Sequence, residues 1–204
     1  MAKQFFFACG LALALIFAPV GASAQQQQRT PERQALLERL GAALPPSGSS
    51  AQDAANRVRP SFAALEATMH QRNAGREAEI TAMLDSYALC IGTATHAAAP
   101  GMVLDAADIA LNDAEIEELT RFYAGPDYPR FSEINGRSTR GETITPEEGE
   151  FMRSYTDNPV MRRFAMQTIQ TAQAFPNSPA GMQIVSTCGD AFIASYRGAG
   201  LRTP

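Results

Sequence analysis

The sequence predicts an all-α fold, a compact helical bundle that contains two pseudo-repeated helical hairpins. Apolar residues recur at steps of three and four along several segments, which is the spacing that buries one face of a helix. No segment alternates apolar and polar residues over the length of a strand, and the short apolar runs are rich in alanine. Capping residues and prolines mark where successive helices begin.

The first 24 residues have the three-part pattern of a secretory signal peptide. Lys3 supplies the positive charge, an apolar run covers residues 5–17, and Ala22-Ser23-Ala24 provides the small residues of a cleavage site. The run is shorter than the roughly 20 residues that cross a bilayer. We therefore expect cleavage near Ala24 and a periplasmic or secreted protein; an uncleaved membrane anchor is the alternative.

Charge and composition argue against a nucleic-acid surface. The formal net charge is −4, Lys3 is the only lysine, and the arginines form no basic block for binding phosphates. We also predict no cofactor, because the chain has no phosphate-binding glycine loop, no nucleophile elbow and no Cys-x-x-Cys motif. No segment beyond the signal peptide reaches the length of a membrane span, and the length suits a single helical domain over residues 51–204.

Residues 25–50 are predicted to form an N-terminal helix and a linker. Thr30 is placed as the N-cap, and Pro31 suits the first helical position. The apolar face consists of Leu36, Leu37 and Leu40. Gly41 is expected to end the helix, and residues 44–50 are rich in Pro, Ser and Gly, which is typical of a linker. This helix is expected to pack loosely or to serve as a detachable arm.

Three further helices follow from caps and periodicity. Ser50 with Asp53 marks one helix start, and Pro60 is expected to kink or restart that helix. The longest helix is predicted from Arg76 to Ala98, with Pro100-Gly101 ending it. Its core-facing stripe comprises Ile80, Leu84, Tyr87, Ile91, Ala94 and Ala98. The last helix is expected to begin after the Ser178 cap and to stop at Gly198.

Two cysteines lie outside the signal peptide, Cys90 and Cys188. An even pair in an exported protein predicts a disulfide, worth about 4–5 kcal/mol in the chain-entropy treatment. Two free thiols, or half of a metal site, are the alternatives. Zinc takes about four ligands, and neither His70 nor His96 has a ligand-like spacing to a cysteine, so we predict no metal site.

The segment 112–131 recurs 33 residues later as 145–164. The shift aligns Glu115 with Glu148, Leu119 with Met152, Phe122 with Tyr155, Pro126 with Pro159, Arg130 with Arg163, and Phe131 with Phe164. Each copy is predicted to form a capped helix, a proline break and a second helix. Residues 135–144 are expected to join the copies as a loop. Two copies are too few for a solenoid, so we predict a pseudo-twofold bundle.

The first copy also carries a recognisable pattern, an acidic helix that runs into Phe-Tyr-x-x-Pro. The residues of this pattern are Glu115, Glu117, Glu118, Leu119, Phe122, Tyr123 and Pro126. They resemble a bacterial family of exported proteins, domain of unknown function 2059, although Gly125 and Tyr128 replace its usual Ser/Thr and Gly. The resemblance implies a helical, exported domain of unassigned activity, and it brings no catalytic residues.

Aromatic residues spread over both hairpins form the candidate binding site, at the seam between the two copies. They are Phe122, Tyr123, Tyr128, Phe131, Tyr155 and Phe164. Such a group either fills the core or lines a groove for an apolar ligand or a helix of an envelope partner. Arg162 and Arg163, with Arg130 from the first copy, are expected at its rim, where arginine suits an anionic group. A binding module in the bacterial envelope is the favoured interpretation.

A periplasmic hydrolase is the alternative. Its acid and base groups would come from the glutamate-rich helix starts, including Glu115, Glu118 and Glu148, or from His96, expected near the end of the longest helix. Carboxylates in a first helical turn are, however, favoured by the helix dipole alone, and a histidine near a helix end suits the same dipole. We therefore predict no catalytic residue.

Overall fold

The computed structural model describes residues 29–46 and 49–202. The predicted signal peptide, residues 1–24, lies outside this range. The described residues are helical and contain no strand, which confirms the all-α prediction. The residues from Pro31 onward belong to one compact unit.

The helices are numbered here in chain order. They are α1 (Pro31–Ala43), α2 (Ala51–Val58), α3 (Ala63–Arg72), α4 (Glu77–Ala110), α5 (Asp113–Ala124), α6 (Asp127–Thr139), α7 (Pro146–Thr156), α8 (Pro159–Ala174) and α9 (Pro179–Gly198). A 3-10 turn, Arg59–Phe62, joins α2 to α3, and another, Phe175–Asn177, joins α8 to α9. The first of these turns contains Pro60, where the sequence predicts a kink.

The predicted helix starts are confirmed at three capping boxes. Ser50, Asn112 and Thr145 each accept a hydrogen bond from the backbone N–H three residues on, and the acid at that position accepts from the backbone of the cap. The side chain of Ser178 likewise caps α9. These contacts satisfy backbone donors that a helix start otherwise leaves unpaired.

The predicted end of the longest helix is wrong. Helix α4 continues through Pro100 to Ala110, twelve residues beyond Ala98. A proline removes one backbone donor and crowds the preceding turn, which usually ends a helix. Here the segment after Pro100 packs into the protein, with Ala106 and Ala107 fully buried, and this packing outweighs the local cost.

The predicted loop 135–144 is also too long, because α6 continues to Thr139. The guanidinium of Arg137 donates to the carboxylate of Glu148 at 2.6 Å and to the carbonyl of Thr143 at 3.0 Å. Gly141 follows with a φ of 78°, a left-handed conformation that glycine adopts without strain. The chain therefore turns over a shorter segment than composition predicts.

Two apolar cores lie along α4. The first joins α1, the end of α4, α5 and α8, and contains Leu36, Leu37, Leu40, Ala107, Leu111, Ile116, Leu119, Val160 and Phe164. The second joins α3, the start of α4 and the end of α9, and contains Met69, Ile80, Leu84, Tyr196 and Leu201. Because three leucines of α1 are buried in the first core, α1 is not the loosely packed arm that the linker composition suggests.

Cys90 of α4 and Cys188 of α9 form a disulfide, as predicted, with their Cα atoms 5.8 Å apart. The bond fixes α9 to the middle of the longest helix. Among the described residues, none of the helices combines the length and the hydropathy that crossing a bilayer would take.

Both predicted hairpins contain their two helices, with breaks at Pro126 and Pro159. Their surroundings differ. Helices α5 and α7 both contact α6 and α8, and α5 packs in addition against α1. The pseudo-twofold relation between the hairpins stays a prediction.

Candidate aromatic site at the seam of the hairpins

Phe122 lies at the centre of an aromatic cluster where α5, α6 and α7 meet. Its ring centroid is 4.7 Å from that of Tyr155, and 5.2, 5.7 and 5.6 Å from those of Tyr123, Tyr128 and Phe131. These separations fall in the range of favourable edge-to-face and offset ring contacts. The last turn of α5 thus brings the start of α6 and the end of α7 together.

Phe151 extends the cluster on α7. Its ring centroid lies 5.2 Å from that of Tyr155, one helical turn away, and the guanidinium carbon of Arg130 stands 4.3 Å above the centre of the ring. This cation–π contact links α6 to α7. Phe151 was not among the predicted site residues, although its i, i+4 spacing from Tyr155 on a capped helix predicts a shared face.

The rings of the aromatic cluster are only partly buried. Phe122, Tyr123, Tyr128, Phe131, Phe151 and Tyr155 each keep an exposed portion. Burial raises the pKa of Tyr123 to about 12. The hydroxyl of Tyr155 donates to a carboxylate oxygen of Asp127 at 2.6 Å, and this hydrogen bond raises the pKa of Tyr155. Both phenols therefore stay protonated and neutral near pH 7.

The structure separates Phe164 from the other predicted site residues. This residue is 6% exposed and packs in the first core, because α8 packs along α4. Arg163 pairs with Glu115 at the start of α5, so it links the two hairpins instead of lining a free rim. Arg162 lies exposed on α8.

The glutamates considered for catalysis have structural partners. The backbone N–H of Asn112 and the ion pair with Arg163 lower the pKa of Glu115. The backbone N–H of Thr145 and the guanidinium of Arg137 do the same to the pKa of Glu148.

Glu118 accepts a hydrogen bond from the side-chain amide of Asn158 at 2.9 Å. This contact joins the middle of α5 to the break between α7 and α8. A carboxyl group whose pKa is lowered, as in Glu115 and Glu148, is ionised at neutral pH and has no proton to donate as a general acid.

His96 lies in the interior of α4, because that helix continues well past its predicted end. The interaction with a helix C-terminus that the sequence suggested is therefore absent. His70 lies 3.4 Å from the hydroxyl of Thr81 and 3.9 Å from Glu66. In the described part of the chain, no group of three or more His, Cys, Asp or Glu side chains is placed to hold a metal ion.

A second feature, which the sequence did not predict, is an open groove of about 290 Å³ between α4 and α9. Its walls include Met83, Tyr87, Cys90, Cys188, Phe192 and Ser195. The ring of Tyr87 stacks between those of Phe62 and Phe192, at 4.9 and 5.2 Å. The groove depends on how two distant helices pack, and no local pattern encodes that arrangement.

No protein-family model, no curated protein and no solved structure matches this chain. The resemblance to the domain of unknown function 2059 family stays a prediction.

Proposed function

We propose that this protein is an exported helical binding module of the bacterial envelope, similar to the domain of unknown function 2059 family. The observation that carries the proposal is the aromatic cluster, in which six partly exposed rings meet at the junction of three helices. The partner is an envelope protein or an apolar ligand that covers these rings.

The chemistry of the cluster supports recognition rather than catalysis. Aromatic and arginine side chains are enriched at the centres of interfaces, where Tyr in particular provides contact area at a low cost in conformational entropy. Contacts with neighbouring rings, and the hydrogen bond from Tyr155 to Asp127, hold the rings in place before a partner arrives. Prearranged side chains lose less entropy on binding.

Export is supported by two features that belong to different parts of the chain. The signal-peptide pattern of residues 1–24 is typical of proteins that are directed to the secretory pathway. The bond between Cys90 and Cys188 is of the kind that forms and persists in an oxidising compartment such as the periplasm.

The binding proposal is tested by comparing two single-residue variants in a capture experiment. Phe151→Ala removes a ring of the cluster and the face on which Arg130 stacks. Met166→Ala removes an apolar side chain of similar size that is 61% exposed on α8, outside the aromatic cluster. Wild type and both variants are immobilised, incubated with a native envelope fraction, and the retained proteins and lipids are quantified by mass spectrometry.

We expect Phe151→Ala to retain about tenfold less of the species that wild type enriches, consistent with the loss of an interface hot spot. Met166→Ala is expected to retain them fully. Equal retention by the two variants, with both folded by circular dichroism, would contradict the assignment of the site to the aromatic cluster.

A further inference from the structure

The disulfide forms part of the wall of the groove between α4 and α9. Both sulfur-bearing residues line this groove of about 290 Å³. Cys188 is 3% exposed, whereas Cys90 is only partly buried. A small reagent in the groove therefore reaches Cys90 first.

Helix α9 is held to α4 unevenly along its length. The first half, from Pro179 to Thr187, buries Gly181 against the carbonyl of Phe175 in the preceding turn, while Met182 and Val185 are 56% and 47% exposed. A contact with the turn that immediately precedes the helix does not fix the helix to α4.

The second half of α9 and the residues that follow it have several independent anchors. The ring of Phe192 stacks with Tyr87 at 5.2 Å, and Tyr196 is buried. The backbone N–H of Arg202 donates to the side-chain oxygen of Asn73 at 2.7 Å, and the Asn73 amide donates back to the carbonyl of Arg202 at 3.2 Å. The disulfide lies at the boundary between this anchored half and the first half.

We propose that the Cys90–Cys188 bond is a redox-controlled clasp, opened by a dithiol that enters the groove and attacks the Cys90 sulfur. Opening the bond releases the first half of α9 from α4, while the second half stays in place. The reagent is a small dithiol or the dithiol site of a thiol–disulfide oxidoreductase.

The chemistry balances as an ordinary thiol–disulfide exchange. A thiolate of the dithiol forms a bond to Sγ of Cys90, the bond between the two cysteine sulfurs breaks, and its electron pair leaves with Sγ of Cys188, which takes a proton from water. The second thiolate of the dithiol then attacks the reagent sulfur that is bonded to Sγ of Cys90. The bond between that sulfur and Cys90 breaks, and Cys90 leaves as a thiolate that takes a proton from water. The protein gains two electrons and two protons, and the dithiol departs as a disulfide.

The charge in the groove does not oppose this approach. The carboxylate on its wall, Glu79, accepts a hydrogen bond from Nε of Arg76 at 2.7 Å, so its negative charge is paired. The remaining wall is formed mainly by rings, methyl groups and hydroxyls. An incoming thiolate therefore meets no unpaired anion among these wall residues.

Hydrogen exchange measured by mass spectrometry tests the release of α9. The full chain carries Cys9→Ser, so that Cys90 and Cys188 are its only cysteines. Oxidised and dithiothreitol-treated protein are compared with the double variant Cys90→Ser/Cys188→Ser. On reduction, we expect exchange over residues 180–190 to accelerate about tenfold more than over residues 192–198, as local opening requires. The double variant should show the reduced pattern at all times and no response to dithiothreitol.

The position of attack is tested separately, by mapping the mixed disulfide that glutathione forms with the folded, oxidised protein. We expect the adduct on Cys90. The proposal is overturned if the adduct lies on Cys188, if the bond opens only in denaturant, or if reduction accelerates exchange equally in both halves of α9 or in neither.

Discussion

Among single residues, Gly92 sets the distance between α2 and α4. A Cβ atom added there would lie 2.5 Å from the backbone nitrogen of Ala55 and 2.6 Å from the carbonyl oxygen of Ala51. Both are backbone atoms, so α2 as a whole would have to move. Only the packed structure identifies Gly92 as the point of contact between the two helices.

We expect Gly92→Ala to lower the free energy of unfolding by about 1–3 kcal/mol, as overpacking does. Alanine is the better helix former, so the steric cost must exceed a gain of about 0.5–1 kcal/mol. Gly101→Ala is the matched control in the same helix, because a Cβ there meets nothing within 4 Å. That variant should be as stable as wild type or more stable. Urea unfolding followed by circular dichroism measures both, and a Gly92→Ala variant at or above wild-type stability would contradict the steric argument.

Among the helices, α1 is fixed by an arginine as well as by its leucines. Nε and one terminal nitrogen of Arg33 lie 2.5 Å from carboxylate oxygens of Asp108 and Asp113. The other terminal nitrogen donates to the carbonyls of Asp108 and Leu111 at 2.7 and 2.8 Å. One guanidinium thus binds the end of α4 and the start of α5, and its charge complements the negative end of the α4 dipole.

We expect Arg33→Gln to destabilise the protein by about 1–3 kcal/mol, because three of its four hydrogen bonds are part-buried and together the four link three helices. The hydrogen-exchange rate should increase more in α1 than in the other helices. Arg39→Gln is the control on the same helix. It lies 3.6 Å from Glu117, and both side chains are more than half exposed. Its loss should cost less than about 0.5 kcal/mol. Equal effects of the two substitutions on α1 exchange would refute the special role of Arg33.

Helix starts were predictable and some helix ends were not, for a physical reason. A capping box such as Thr145 with Glu148 forms all of its hydrogen bonds within four consecutive residues, so the local sequence is enough to predict it. The continuation of α4 through Pro100 instead depends on burial of residues such as Ala107 against other helices. The local rule for proline was outweighed by contacts that sequence spacing does not reveal.

For the molecule as a whole, the fold class and the disulfide were predictable. The membership of the aromatic cluster was only partly predictable, and the groove between α4 and α9 was not. Periodicity identifies one buried face per helix, and it does not say which helices share a core. Phe131 and Phe164 occupy equivalent positions of the sequence repeat, yet Phe131 contacts the ring of Phe122 and Phe164 is buried in the first core. Phe164 lies on α8, which packs along α4, whereas Phe131 lies on α6, which packs against α5 and α7.

The disulfide leads to a prediction about the stability of the whole protein. It joins residues 98 positions apart, so it removes a large amount of conformational freedom from the unfolded chain. In the chain-entropy treatment, Cys90→Ser/Cys188→Ser should lower the free energy of unfolding by about 4–5 kcal/mol. The far-UV circular dichroism spectrum in the absence of denaturant should change little, because the two apolar cores are formed by other residues.

Urea unfolding of oxidised wild type, reduced wild type and the double variant measures this stabilisation. The reduced wild type should unfold well below the oxidised protein, and the double serine variant should unfold at or below the midpoint of the reduced wild type. Hydroxyl substitution at the buried Cys188 contributes a polar cost of its own, so Cys90→Ala/Cys188→Ala serves as the apolar control. A loss below about 1 kcal/mol in the alanine pair would show that the bond restrains the unfolded chain far less than its 98-residue separation predicts.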